Sequence, residues 1–537
     1  MNRRLHGPLV ATLLAAAGLV AVAPGAAGSP GRGGDGSTPG SLGALGERIY
    51  RQGIGRSGRA VRGSIAGGAT LDGTIVTCVS CHRRSGLGSI EGAVVATPVT
   101  GTELFRALPR RPAYTDASLA RALREGIDPS GRRLGSAMPR YDFDDRELAA
   151  LVRYLRDLSA EPSPGVTERD LHLATVYSDD VDPIPMLALL ESWFADRNVE
   201  SRQPTRRRDH GPWYRDNRNL PYRKWVLHRW RLEGDPRTWR RQLERYYAEQ
   251  PVFALVSGSS RRDWTPVHEF CERHGIPSLL PNIDAPPIDD DGFYNLYFSR
   301  GVSGEAATLA DALARDGAPP TILQAFTDDP EARTAARAFR REWTSRTGHA
   351  PAELVLGERV DLMQLVDELD RVGAQALALW VAAPRLRSPA WQVGLPTPVP
   401  VYLSASLLDE AASTLPEGWR RGAWVVRPFT LPGELEKRFA RIEAWLIKHD
   451  IPTDQRRTLG QTWFACMVLA EGLMHVRYDN YFRDYLLESI DHATGKIVPY
   501  STHYPRPSFG PGQRYLSKGA YLVRLDATET PRWVVPR

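Results

Sequence analysis

Two hydrophobic periods alternate along most of the chain. From residue 171 onward, short apolar runs of strand character recur: "LHLATVY" (171–177), "KWVLHRWRL" (224–232), "VFALVSG" (252–258), "TILQAF" (321–326), "AELVLG" (352–357), "ALALWVAA" (376–383), "PVYLSA" (400–405) and "GAWVVRPF" (422–429). Between them lie amphipathic stretches of helical period, such as "RTWRRQLERYYAEQ" and "EARTAARAFRREW". Strand runs alternating with helical runs predict an α/β region built on mainly parallel sheets. Two longer helical stretches follow, over 433–449 and 456–476. Ahead of this region two helical runs stand out. "LGALGERIYRQG" (42–53) reads as one helix, and "DDRELAALVRYLRDLS" (144–159) as another, with an Asp start and Leu148, Leu151, Val152, Leu155 and Leu158 on one face.

Punctuation divides these regions. "SPGRGGDGSTPGSLG" (29–43) reads as a flexible leader. "EPSPGVT" (161–167) reads as a linker between a first unit over 45–160 and an α/β unit over 169–537, with the linker itself at 161–168. Residues 1–29 read as an export signal: Arg3 and Arg4, then an apolar run, then small residues suited to cleavage. This implies a periplasmic protein with no stable membrane span after cleavage. Of 537 residues, 42% are hydrophobic and 25% charged, an ordinary globular balance. A net charge of +6 does not mark a nucleic-acid binder. The Arg/Trp-rich stretch 202–225 reads as a solvated insertion, with docking to an acidic redox partner the second reading.

One motif stands apart. Cys78, Cys81 and His82 form C-x-x-C-H, the spacing at which two thioethers hold one porphyrin and the next imidazole ligates its iron. The same spacing also suits a redox disulfide or half of a zinc site, but residues 30–160 hold no further Cys and no other His. Met138, in "GSAMPRYDFDD", is the only methionine in that segment, which leaves it as the candidate distal ligand; a core-filling role is the alternative. With these features together, residues 45–158 resemble a class I cytochrome c domain. The resemblance implies a small all-α fold, one covalent haem c on Cys78 and Cys81, His82 and Met138 as iron ligands, and one-electron transfer. The Gly-rich segment 55–76 departs from that pattern.

The order of elements after Leu171 resembles a type 1 periplasmic solute-binding protein of the branched-chain amino-acid receptor kind. It is carried by "HLATVYSDD", "WVLHRWRLEGDPRTWRRQLERYY", "PVFALVSGSSRRDWTPVHEFCERHGIPSLLP" and "FYNLYFSRGVSGEAATLADAL". That resemblance implies two α/β lobes closing on a small solute, with contacts from loops after strand C-termini. It places Tyr177 and Ser178 in a first ligand loop and Ser257, Gly258, Ser259 and Ser260 in another, with Phe326, Asp328 and Ser404 as second-lobe candidates. The alternative is that Ser and Gly here only build turns and caps. Cys271 and Cys466 could pair in an exported chain, or act as small buried hydrophobes. The expected function is an exported monohaem cytochrome, not an enzyme, fused to a solute-binding-type module and exchanging electrons with a redox partner protein. The alternative is a solute-binding or sensing protein, for an amino acid or similar small ligand, with an accessory haem domain.

Overall fold

The protein is described by a computed structural model covering residues 41–65, 68–92, 94–202, 223–287, 292–315, 321–357, 362–395, 399–409, 415–474, 476, 480–497, 503–508, 514–526 and 531–536. The export signal and most of the leader lie outside these residues, as does most of the Arg/Trp-rich stretch.

The two amphipathic helices of the first unit form where their sequence places them. Leu42–Gln52 starts on the Ser41 side chain and ends on Gly53 in the left-handed region, φ 68°. Asp145–Asp157 is closed by a reciprocal capping box between Asp144 and Glu147. They pack against each other through Gly46, where an added Cβ would lie 2.1 Å from the Ala150 carbonyl oxygen. Around this crossing Ile49, Tyr50, Leu123, Phe143, Leu151 and Leu155 bury one apolar cluster made of first-unit residues alone. The unit is not all-α, however. Arg62–Ser64 pairs antiparallel with Thr70–Asp72 on one side and Arg140–Tyr141 on the other. A second hairpin joins Ser89–Glu91 to Val94–Ala96. The Gly-rich departure supplies two of these strands, since Gly63 leaves room for Val76 and Tyr141 to close over it.

The α/β unit has two sheets. The first runs, in spatial order, Asn295–Leu296, Ser278–Leu279, Ala254–Val256, Asp170–Ser178 and Lys224–Leu232, all parallel. The second runs Ala352–Leu356, Ile322–Thr327, Ala376–Trp380, Val401–Ser404 and Ala423–Arg427, also parallel, then adds Ala520–Arg524 and Arg532–Val534 antiparallel. Numbering the parallel strands by chain order within each sheet gives 2-1-3-4-5 in both. Each sheet therefore reverses direction of growth between its first and third strands, and a doubly wound sheet opens its crevice at that point, beyond the strand C-termini. Strands covered on both faces read as unbroken apolar runs, which is why "ALALW" is wholly buried.

Among the described residues the chain passes between the lobes three times, near 299–301, near 428–432 and near 514–519. After the second crossing, Pro432–Lys448, Arg456–Met474 and Arg483–Ile497 return to the first lobe. Trp445 and His449 both reach Asp196 on Ile184–Arg202 there. The first and third crossings pair with each other. Tyr297 N–H donates to the Arg514 carbonyl at 2.8 Å, and Leu516 and Ser517 donate back to Tyr297 and Phe298. These two crossings thus form a two-stranded ribbon between the lobes.

Candidate functional site

In the first unit, Cys78, Cys81 and His82 share one short helix, Cys78–His82. They meet different surroundings. Cys78 packs against the apolar cluster, and burial pushes its thiol up to about 12. Cys81 faces solvent. His82 is buried, and its Nδ1 lies 2.8 Å from the Thr97 carbonyl. A carbonyl can only accept, so Nδ1 carries the proton; burial lowers the ring pKa and favours the neutral form. Met138 packs against the same cluster as Cys78, and its carbonyl accepts from Arg140.

In the α/β unit, the first-lobe switch point falls between Asp170–Ser178 and Ala254–Val256, the two strands whose ends the sequence singled out. The loops there are joined to each other. Ser178 N–H donates to the Ser259 carbonyl at 3.1 Å, and Ser259 N–H to the Val176 carbonyl at 3.0 Å. Tyr177 lies half-buried opposite Ser259. The strand predicted over 252–258 stops at Val256, because Ser257 and Gly258 take positive φ of 55° and 123°. Gly258 has no substitute here: a Cβ would meet the Val176 carbonyl oxygen at 2.6 Å.

The hydroxyls of this loop are largely committed. Ser257 Oγ lies 2.9 Å from Thr462 Oγ1 and accepts from Asn282 Nδ2 at 2.9 Å. Ser260 Oγ accepts from Arg262 N–H at 2.9 Å, and Ser178 Oγ donates to Asp180. The turn-and-cap reading thus describes Ser178, Ser257 and Ser260 as the structure holds them. Ser404 is 1% exposed and hydrogen-bonds Leu407 N–H, while Phe326 is half-buried and Asp328 is exposed beside Arg333.

Charged groups missing from the sequence reading gather at the same end of the sheets. Glu331 opens the second-lobe helix Pro330–Thr347. Burial pushes its carboxyl up to about 7, and Asp284, Asp329 and Asp180 push the same way, against Arg261. Asp180 and Arg261 come from the first lobe, so both lobes act on this one carboxyl. Asp284 is held at 2.8 and 3.0 Å by both terminal nitrogens of Arg457, which also reaches Asp409 of the second lobe at 3.5 Å. Glu305, 1% exposed, accepts from Ser406 Oγ at 2.5 Å, and burial raises it to about 7. The "SDD" after the first strand and the Asp-Pro-Glu helix start were visible signals for Asp180 and Glu331. Nothing local marks Arg457, whose role depends on tertiary placement.

Cys271 and Cys466 are both buried and unpaired, in different apolar clusters, and serve as small hydrophobes. Among the described residues no helix is long and apolar enough to cross a membrane.

No family model matches the sequence, and no curated protein matches it. Solved structures do resemble it. One is a branched-chain amino acid ABC transporter protein from Thermus thermophilus with bound valine, at 12% identity and TM-score 0.46 over 66% of this chain and 94% of that one. A second is an ABC transporter solute-binding protein from R. palustris in complex with benzoate, at 12% and 0.46 over 68% and 97%. A third is a leucine-binding protein from Thermotoga maritima, at 11% and 0.45 over 68% and 98%.

These findings correct two expectations. The structures that the chain resembles are solute-binding proteins, and among the described residues no group of three or more His, Cys, Asp or Glu side chains comes together to hold a metal ion. The expectations of one covalent haem c and of electron transfer as the main function are not upheld, and the expected redox partner is not supported. The physical reason is that C-x-x-C-H fixes only the spacing of three side chains along a single helical turn; here Cys78 lies half-buried against the apolar cluster while Cys81 faces solvent.

Proposed function

We propose that this chain is an exported solute-binding protein whose two α/β lobes close on a small amine-bearing solute of the amino-acid class. It comprises an accessory unit over 45–160 and a binding unit over 169–537. The observation that carries this reading is the repeated 2-1-3-4-5 strand order, which directs the switch points of both sheets to strand C-terminal ends lined by Asp180, Asp329 and Glu331. Carboxylates from both lobes suit an ammonium group, while Arg261 suits a carboxylate. Of the loop residues proposed from sequence, Tyr177 and Ser259 are the candidates for direct contact. Ser178, Ser257, Gly258 and Ser260 would shape the loop that presents them.

The neighbours named above bind valine, leucine and benzoate by their descriptions. An amino-acid panel is thus the natural probe set. A solute that binds only the folded protein raises the melting temperature by mass action, about 2.7 kcal/mol of stabilisation at a hundred times Kd. The proposal predicts a saturable rise with at least one amine-bearing solute, lost in Glu331→Gln. A panel without any shift contradicts it.

A further inference from the structure

The loop that follows the Cys78–His82 helix does not end in solvent. Arg84 lays its guanidinium 3.8 Å from the centre of the Phe293 ring, and Arg514 lies 4.3 Å from the same ring centre. Phe293 precedes the first strand of the ribbon and Arg514 stands in the second, where its carbonyl accepts from Tyr297 N–H. Arg514 is in turn paired to Asp491 at 3.1 Å. One turn back on the same helix, Glu488 accepts from Ser85 N–H at 2.9 Å and Ser85 Oγ at 2.6 Å. A further turn back, Asp484 meets Arg51 at 3.4 Å and accepts from Tyr294 OH at 2.6 Å. Asp484, Glu488 and Asp491 share one face of Arg483–Ile497, at the i, i+4, i+7 spacing of a helical stripe. That stripe meets Arg51 and Ser85 of the first unit.

We propose that the first unit is docked on the hinge of the two-lobed unit and, through Arg84, Phe293 and Arg514, sets how readily that hinge moves. Opening or closing the lobes must bend the ribbon formed by 297–298 and 514–517. A ring held by two cations, one from each unit, resists that bend unless the first unit moves too. Communication between the units would then be mechanical and would need no diffusible partner. The inference does not depend on which solute binds, or on whether one does, so its test is separate from the ligand screen.

The experiment is hydrogen–deuterium exchange by mass spectrometry on the full chain without solute, comparing wild type, Arg84→Ala and Arg84→Lys. For Arg84→Ala the proposal expects exchange over 297–298 and 514–517 to rise about fivefold, with 171–178 in the first-lobe core unchanged. Arg84→Lys keeps a cation and should restore part of the protection. Unchanged exchange in the hinge overturns the proposal. So does an equal rise in the hinge and in 171–178, because that pattern reports general destabilisation. If Arg84→Ala does not fold, Arg84→Lys is read alone: a rise confined to the hinge supports the proposal, and unchanged hinge exchange overturns it.

Discussion

Single residues carry two tests. Glu305 is buried against Ser404 and Ser406, with its folded pKa raised to about 7 from an ordinary value near 4.5. Its unfolded form ionises first as pH rises, so the unfolded state gains on the folded one from about pH 4.5 to about pH 7. Stability contributed by the protonated group is present below that window and lost above it. The loss has a slope of at most about 1.4 kcal/mol per pH unit. Glu305→Gln retains an acceptor for the Ser406 hydroxyl and cannot ionise, so its melting temperature should fall less between pH 5 and pH 8 than that of the wild type. Parallel curves would show that Glu305 is not the titrating group. The second residue is Gly258. Any side chain there meets the Val176 carbonyl, and φ of 123° is strained for an L residue. Gly258→Ala should cost about 2 kcal/mol in urea unfolding, whereas Gly135, with open space around it, should accept alanine with little change.

Arg483 shows what one side chain does for a whole element. It starts the helix Arg483–Ile497, and its guanidinium donates to the carbonyls of Val252, Phe253, Pro164 and His274 and to the Tyr247 hydroxyl. Five donors in a fixed fork serve the linker, the third strand's approach and the end of Thr265–His274 at once. A lysine has three donors on one atom and cannot span these partners, so Arg483→Lys should destabilise the fold by about 2–4 kcal/mol by leaving buried carbonyls unpaired. A loss below 1 kcal/mol would mean water replaces the fork.

At this scale much of the fold was legible in the sequence. Lys224–Leu232 begins and ends where its apolar run does, and Pro432–Lys448 and Arg456–Met474 lie within two residues of their predicted spans. "VFALVSG" overran because a positive φ at Ser257 has no side-chain signal. "ALALWVAA" overran because Ala383–Leu386 begins a helix at Ala383, with Pro384 in its first turn. The two-residue strands Ser278–Leu279 and Asn295–Leu296 are too short to show a period. The small sheet of the first unit was missed because a Gly-rich segment reads as a loop.

The whole molecule depends on tertiary pairings that no local pattern announces. Arg457 and Asp284 make a two-bond ion pair at the base of the interlobe crevice, and Asp409 of the second lobe completes it. Arg457→Ala leaves the partly buried Asp284 carboxylate without its two-bond partner and should lower stability by about 3 kcal/mol; an unchanged unfolding midpoint would show that the pair is solvent-screened. The switch-point loops were legible in outline, since Ser178 and Ser257–Ser260 do stand at the strand ends there. The partners of their hydroxyls were not, because Thr462, Asn282, Asp180 and Arg262 reach them through tertiary placement and local turns that no hydrophobic period marks. The C-x-x-C-H motif drew the functional reading towards the first unit, a minority of the chain. The repeated sheet topology moves it to the crevice between the lobes.

Isothermal titration calorimetry of the full chain against the amino-acid panel asks whether this crevice binds an amine-bearing solute. Saturable, one-to-one heat is expected with at least one member, and that heat should be lost in Glu331→Gln while the variant's far-UV spectrum stays that of the wild type. No saturable heat across the panel, or binding that survives Glu331→Gln unchanged, would overturn the solute-binding reading.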